Sequence, residues 1–212
     1  YVHEAAGGRT AMLAAIDGAS PPRSLGPIAG YPSWTADGAL LVADDAAQIV
    51  RWDLAADPAA PPRATVLGRL PTGARPYHLA AIADDGVAVL WWTSSDADTS
   101  ALGELDRRGR LRVVEESATD YEGGLAAAAG DHGYYVTRKA ATTGNELWWR
   151  RWGRATAVVV PGGLSPRAGL SVAPDGRHLV FSTCIQRQSL VRLRPDGSTV
   201  PLPHGEWQDT SP

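Results

Sequence analysis

The chain has one cysteine, one methionine and one phenylalanine in 212 residues. With Cys184 alone, no intrachain disulfide can form, which excludes a small scaffold stapled by bridges but leaves the compartment open. Positive charge is not in excess: 20 lysines and arginines face 23 aspartates and glutamates, a formal net charge of −3. Nucleic acid is therefore not an expected partner, because phosphate backbones are held by surplus basic side chains. No apolar run approaches the roughly 20 residues of a bilayer-crossing helix. The longest are stretches such as Val87 to Trp92, so no membrane insertion is expected. The start at Tyr1-Val2-His3 has no initiating methionine, basic leader or small-residue cleavage site, and Trp207 to Pro212 stop where a further strand is expected. The chain reads as a piece of a longer protein, cut at both ends.

Turn formers are abundant. Glycine and proline together number 39 of 212, about 18% against an ordinary 12% or so. Internal repetition shows where they go. Ala36-Asp37-Gly38, Asp84-Asp85-Gly86, Asp131-His132-Gly133 and Pro174-Asp175-Gly176 place their glycines 48, 47 and 43 residues apart. Each is flanked by short small-or-apolar runs, and Asp-Gly between two β-prone segments signals a tight hairpin, here expected to be a primed turn with glycine at positive φ. A third alternating segment follows at Gln48 to Leu54, Ala101 to Asp106, Glu146 to Trp152 and Ser189 to Arg194. Fourth strands follow at Ala64 to Leu67, Leu111 to Val114, Ala155 to Val160 and Ser198 to Leu202.

A period in the mid-forties with four strands per unit suits propeller blades. The expected fold is all-β: a β-propeller of four-stranded antiparallel blades, a partial segment of about five blades from a larger ring. Residues 1–27 form a partial blade lacking its first strand, with Met12 to Ile16 as its third strand and Arg23 to Leu25 as its fourth. Blades follow at 31–70, 76–115, 122–161 and 167–203, and 207–212 begin another. Alanine-rich Leu125 to Ala129 has helical propensity, but it is short, is closed by Gly130, and occupies an innermost-strand position where converging blades favour small side chains. A strand is expected there.

Ser171-Val172-Ala173-Pro174-Asp175-Gly176, followed by Leu179-Val180-Phe181-Ser182 and by Leu190 to Gly197, resembles the WD40-like repeat of TolB-type β-propellers. Ser33 to Gly38 repeats the pattern with Ala36 in place of proline, while the units at Gly86 and Gly133 keep it loosely. The resemblance implies the fold. It leaves function open, since such repeats serve as periplasmic scaffolds, sensor regions of bacterial regulators and lids of prolyl-oligopeptidase-like enzymes. The compartment stays equally open, extracytoplasmic or cytoplasmic.

Catalytic grammar is thin. Gly163-Leu164-Ser165-Pro166-Arg167 ends in arginine where a nucleophile elbow needs glycine. The histidines at 3, 78, 132, 178 and 204 are scattered singly, without metal-ligand spacing, and His132 and His178 read as hairpin-turn residues. Asp96 to Ser100 lacks the central glycine and distal glutamate of a calcium loop. Cys184, near Arg187, reads as a small strand-end residue. No catalytic residue, metal or cofactor is expected.

Binding is the better expectation. Propellers bind across the axial funnel, lined by inner strands and the loops leading into them. Tyr31, Arg75, Tyr77, His78, Tyr121, Glu122 and Arg167 lie there. Eight tryptophans stand at 34, 52, 91, 92, 148, 149, 152 and 207. The adjacent pairs must point to opposite faces of their strands and pack between blades on both sides. Trp152, with Arg150 on the same strand face and Arg154 beside it, is the candidate for an aromatic and basic surface with cation–π stacking, against the alternative of a charged blade edge. The expectation is a non-catalytic module binding a protein, peptide or small ligand, the sensing or scaffolding part of a larger bacterial protein. Its rivals are a lid for a hydrolase encoded outside this segment and a self-assembling fragment that forms homo-oligomers through open blade edges.

Overall fold

The computed structural model describes residues 2–5, 8–15, 21–55, 60–82, 86–93, 99–117, 124–128, 132–140, 144–154, 157–159, 168–173, 178–182, 191–193 and 199–201. Every element among them is a strand, and none of the described residues forms a helix long and apolar enough to cross a membrane. The first sheet is β1 (Val2–Ala5), β2 (Gly8–Leu13) and β3 (Arg23–Ile28). The second is β4 (Ser33–Trp34), β5 (Leu40–Ala43), β6 (Gln48–Asp53) and β7 (Arg63–Arg69). The third is β8 (Arg75–Ile82), β9 (Gly86–Trp92), β10 (Ser100–Asp106) and β11 (Leu111–Ser117). The fourth is β12 (Leu125–Ala127), β13 (Gly133–Ala140), β14 (Gly144–Arg151) and β15 (Ala157–Val159). Two further pairs are β16 (Ala168–Val172) with β17 (Leu179–Ser182), and β18 (Val191–Leu193) with β19 (Thr199–Pro201). All pairing within the sheets is antiparallel and sequential, the architecture of a β-propeller with four-stranded blades. The alanine-rich segment is strand β12, paired with β13 from Leu125↔Val136 to Ala127↔Tyr134.

Two expectations shift. The strand placed at Met12 to Ile16 starts earlier, at Gly8, because β2 is fixed by its partner β1 in the register Val2↔Ala11 to Ala5↔Gly8. The described hairpin turn at Asp37-Gly38 is not a primed turn. Only Gly38 has positive φ (84°), and its N–H donates to the Thr35 carbonyl (3.1 Å), while the Thr35 N–H donates to the Ala39 carbonyl (2.9 Å). This is a type I turn closed by a left-handed glycine, the usual longer hairpin connection. The β10–β11 turn repeats it: Gly109 at φ 74° donates to the Asp106 carbonyl (2.9 Å).

Period-2 alternation builds the core. On β9, Val87, Val89 and Trp91 face the second sheet, clustering with Leu41, Ile49 and Leu70; Ala88 and Leu90 face the fourth, clustering with Leu125, Tyr134 and Val136. Trp92 joins that second cluster. A strand buried on both faces reads as one continuous apolar run, as Val87 to Trp92 does. The hairpin glycine at 86 carries a second constraint: a Cβ there would stand 2.1 Å from the Leu105 carbonyl oxygen, so β9 and β10 can approach only without a side chain at this point. The fourth strands of three blades also share a feature the sequence did not advertise. Leu25, Leu67 and Val114 are each the extra residue of a bulge opposite the third strand, which increases local twist.

Candidate axial binding site

The first strands of the second, third and fourth sheets, together with β16, converge on one open cavity of about 740 Å³. Its walls are largely small or apolar: Ser33 and Trp34 from β4, Leu79 from β8, Leu125 to Ala127 from β12, and Leu170 to Val172 from β16. Small residues are what such convergence demands, since larger side chains from neighbouring inner strands would collide. Trp34 is the exception, 55% exposed.

At one rim Tyr31 stacks on His78, with ring centroids 4.9 Å apart and planes inclined by 23°. Their backbones are tied as well. Tyr31 forms an isolated parallel bridge with His78, and its N–H donates to the Tyr77 carbonyl (2.9 Å). Gly30 makes this approach feasible, because a Cβ there would lie 2.9 Å from the Pro76 carbonyl oxygen. The other partner of Tyr31 comes from the first sheet, where the Arg9 guanidinium sits 4.8 Å from its ring centroid while bonding Glu4 at 2.7 Å. Burial, and then the charge of Arg9, push the His78 pKa down to about 4. His78 is thus a neutral ring at physiological pH, and among the described residues the cavity wall carries no charged side chain. A Ser33 hydroxyl accepting the Ala81 N–H at 3.3 Å links β4 to β8.

Of the expected funnel residues, Tyr31 and His78 line this cavity. Arg75 is exposed at the start of β8, outside the lining. Tyr77 turns away from the cavity: it is 8% exposed and stacks on Trp92 at 4.6 Å, because the bulge between Pro76 and His78 rotates it toward the fourth sheet. Tyr121, Glu122 and Arg167 lie outside the described residues, as do Cys184, Arg187 and the Gly163 to Arg167 segment.

The expected aromatic and basic surface is also rearranged. Arg150 is 7% exposed and bonds Glu115 (2.9 Å), so it belongs to the seam between the third and fourth sheets. It is not a blade-edge charge, and Trp152 packs against the inter-sheet cluster. Arg154 is exposed. Cation–π stacking on this blade is made instead by Arg138 over Trp148 (5.7 Å), from neighbouring strands. His132 and His178 do sit at hairpin ends, their carbonyls accepting from Trp152 and Ala173.

Sequence reading missed Trp34 and Arg9. The signal for Trp34 was present: a tryptophan in an inner-strand position where the other units carry Leu79 to Ala83, Leu125 to Ala129 and Leu170 to Ala173. Nothing local marks Arg9, whose approach to Tyr31 is made only by docking of the first sheet.

No family model matches the sequence, and no curated protein does. Among solved structures the chain is similar to TolB from Acinetobacter baumannii, with a TM-score of 0.58 and 16% identity over 90% of this chain and 44% of that one. It also matches the dihydro-heme d1 dehydrogenase NirN in complex with DHE (TM-score 0.44, 20% identity, 82% and 36% coverage). A third match is a protein from Lactobacillus plantarum (TM-score 0.43, 13% identity, 92% and 63% coverage). The likeness to TolB is one of fold, a β-propeller, and this chain spans less than half of that chain's length.

Proposed function

We propose that the chain is a non-catalytic binding module that holds an uncharged peptide segment or small ligand in its axial cavity, as the sensing or scaffolding part of a larger bacterial protein. The observation that carries this reading is the cavity itself. Its volume, about 740 Å³, lies in the range of ligand sites, roughly 300 to 1,000 Å³. Its described lining has no charged side chain and combines small and apolar residues with a half-exposed tryptophan, a neutral histidine and two serines as orienting groups. Such a wall favours a planar or aliphatic group over a charged one, since a charge would lose its hydration without gaining a counter-ion. Trp34 offers an open aromatic face, the kind of side chain that dominates binding energy when a partner covers it.

Calorimetric titration with panels of acetylated peptides and neutral oligosaccharides tests the reading. Trp34→Ala and His78→Ala should each weaken any ligand found by roughly tenfold or more. Affinity unchanged in both variants would reject the cavity as the binding site.

A further inference from the structure

The turns joining β10 to β11 and β14 to β15 carry Arg107-Arg108-Gly109-Arg110 and Arg151-Trp152-Gly153-Arg154. Glu104 draws the two blades together here, its Oε2 accepting from both the Arg112 guanidinium and the Gly153 N–H (3.0 Å). Beside this junction lies a cleft of about 360 Å³, with Leu111 and Trp152 as its apolar wall and Arg110 and Arg112 as its basic one. The two carboxylates of the cleft are already engaged. Asp106 holds Arg110 at 2.7 Å and accepts the N–H groups of Arg108 and Arg110, while Glu104, 3% exposed, is taken up by Arg112 and the neighbouring blade. Arg108, Arg151 and Arg154 are exposed, and among the described residues no carboxylate pairs with them. Among the described residues, Arg108, Arg110, Arg112, Arg151 and Arg154 thus meet two carboxylates at this junction, in a chain whose net charge is −3.

All five are arginines, with no lysine, and a guanidinium fork matches a carboxylate in bidentate geometry. The apolar wall between the two turns is sized for a single anchoring side chain, the usual arrangement of a small docking point rimmed by charge. Among the described residues the basic groups of this face end at the two turns and form no continuous track along which a nucleic-acid backbone could run. We propose that this face docks an acidic segment of another protein, rich in glutamate or aspartate around one apolar residue.

Fluorescence anisotropy on the full chain tests this with a labelled Glu-Glu-Leu-Glu-Glu peptide, its lysine counterpart and a single-stranded DNA of equal charge. The acidic peptide should bind, and salt should weaken it. Changing Arg108, Arg151 and Arg154 together to Glu should cost roughly tenfold or more in affinity, and the neutralising pair Arg108→Ala with Arg154→Ala a few-fold. The thermal midpoint of each variant reports that it is folded. Peptide affinity indifferent to both sets of substitutions overturns the proposal, as does binding of the lysine peptide with similar strength. Tighter binding of the DNA than of the acidic peptide also overturns it and assigns the face to nucleic acid.

Discussion

Two neighbouring seams of the same propeller are built from opposite chemistry at matching positions. Between the second and third sheets the packed contact is apolar: Trp91, Leu105, Val87 and Val89 meet Leu41, Ile49 and Leu70, beside an open cleft of about 670 Å³ that Asp37, Arg51 and Arg107 help to line. At its rim Leu105 lies over Gly68, so closely that a Cβ on that glycine would be 2.6 Å from Leu105 Cδ1. Between the third and fourth sheets an apolar cluster is present as well, but the rim positions that correspond to Val87, Leu105 and Gly68 are polar or charged. Tyr134 occupies the place of Val87, each following its hairpin glycine, and Arg150 pairs across from Tyr134 as Leu105 does from Val87. Glu115 then takes the place of Gly68, next to the bulged residue of its strand, and receives Arg150 and Arg138 at 2.9 and 3.1 Å. Behind this pair the buried Glu104 accepts the Tyr134 hydroxyl at 3.0 Å. Burial, and then the charge of Glu104, hold the Tyr134 pKa above the usual phenol range, so it stays a donor. One repeat geometry therefore tolerates at its rim either an apolar contact over glycine or an ionic network. The second costs desolvation, and every buried donor in it needs its acceptor.

The sharpest test of this contrast is Trp91→Ala. The side chain is 2% exposed, and its loss should cost about 3–5 kcal/mol of unfolding free energy, read from urea denaturation. A loss below about 1 kcal/mol would show that the apolar seam holds little of the stability.

Glu104→Ala should come next, at about 2–4 kcal/mol, since it strands the Tyr134 hydroxyl, the Gly153 N–H and Arg112. If the network acts as a unit, Tyr134→Phe added to Glu104→Ala should cost less than the sum of the two single changes by about 1 kcal/mol. Strict additivity would mean that the carboxylate and phenol do not cooperate. Gly68→Ala should cost less again, about 1–2 kcal/mol, because the Leu105 side chain can shift to admit a methyl group; an effect as large as that of Trp91→Ala would mean it cannot.

Acid separates the axial rim from both seams. The folded pKa of His78, about 4, lies below its unperturbed 6.5, so the unfolded chain takes the proton first. Its stability contribution is complete above 6.5 and declines as pH falls toward 4, by at most about 1.4 kcal/mol per pH unit. His78→Phe should flatten thermal midpoints across that window; an unaltered slope would place the titrating group elsewhere. Asp37 acts lower and more weakly. Hydrogen bonds from Arg51 and then Thr35 hold its pKa at about 2 against 3.8, so its contribution is present above 3.8 and fades as pH falls toward 2. Asp37→Asn should remove only that last small decline.

Much of the architecture was legible. The third strands read at Gln48 to Leu54 and Ala101 to Asp106 are β6 and β10 to within a residue at each end, because alternation and turn residues are local. Trp91 and Trp92 point to different neighbouring sheets, as adjacent residues on a strand must. The site was legible only in part. Tyr31 and His78 were named, but not that they stack, and Tyr77 was placed on the wrong side because a bulge, which shifts side-chain direction by one residue, left no mark in the residue types.

Taken alone, the order of residues determined that this chain makes antiparallel sheets of short strands at a mid-forties period. Turn chemistry and alternation act over a few positions, and any chain carrying them must pair in this way. Which rim positions meet through apolar side chains and which through ions, that Arg150 is buried against Glu115 while Arg154 is exposed, and that Arg9 caps Tyr31 were decided only by tertiary structure. Those outcomes depend on groups tens of residues apart in sequence being brought within a few ångströms, and the energy of a charge is set by what surrounds it once it is there.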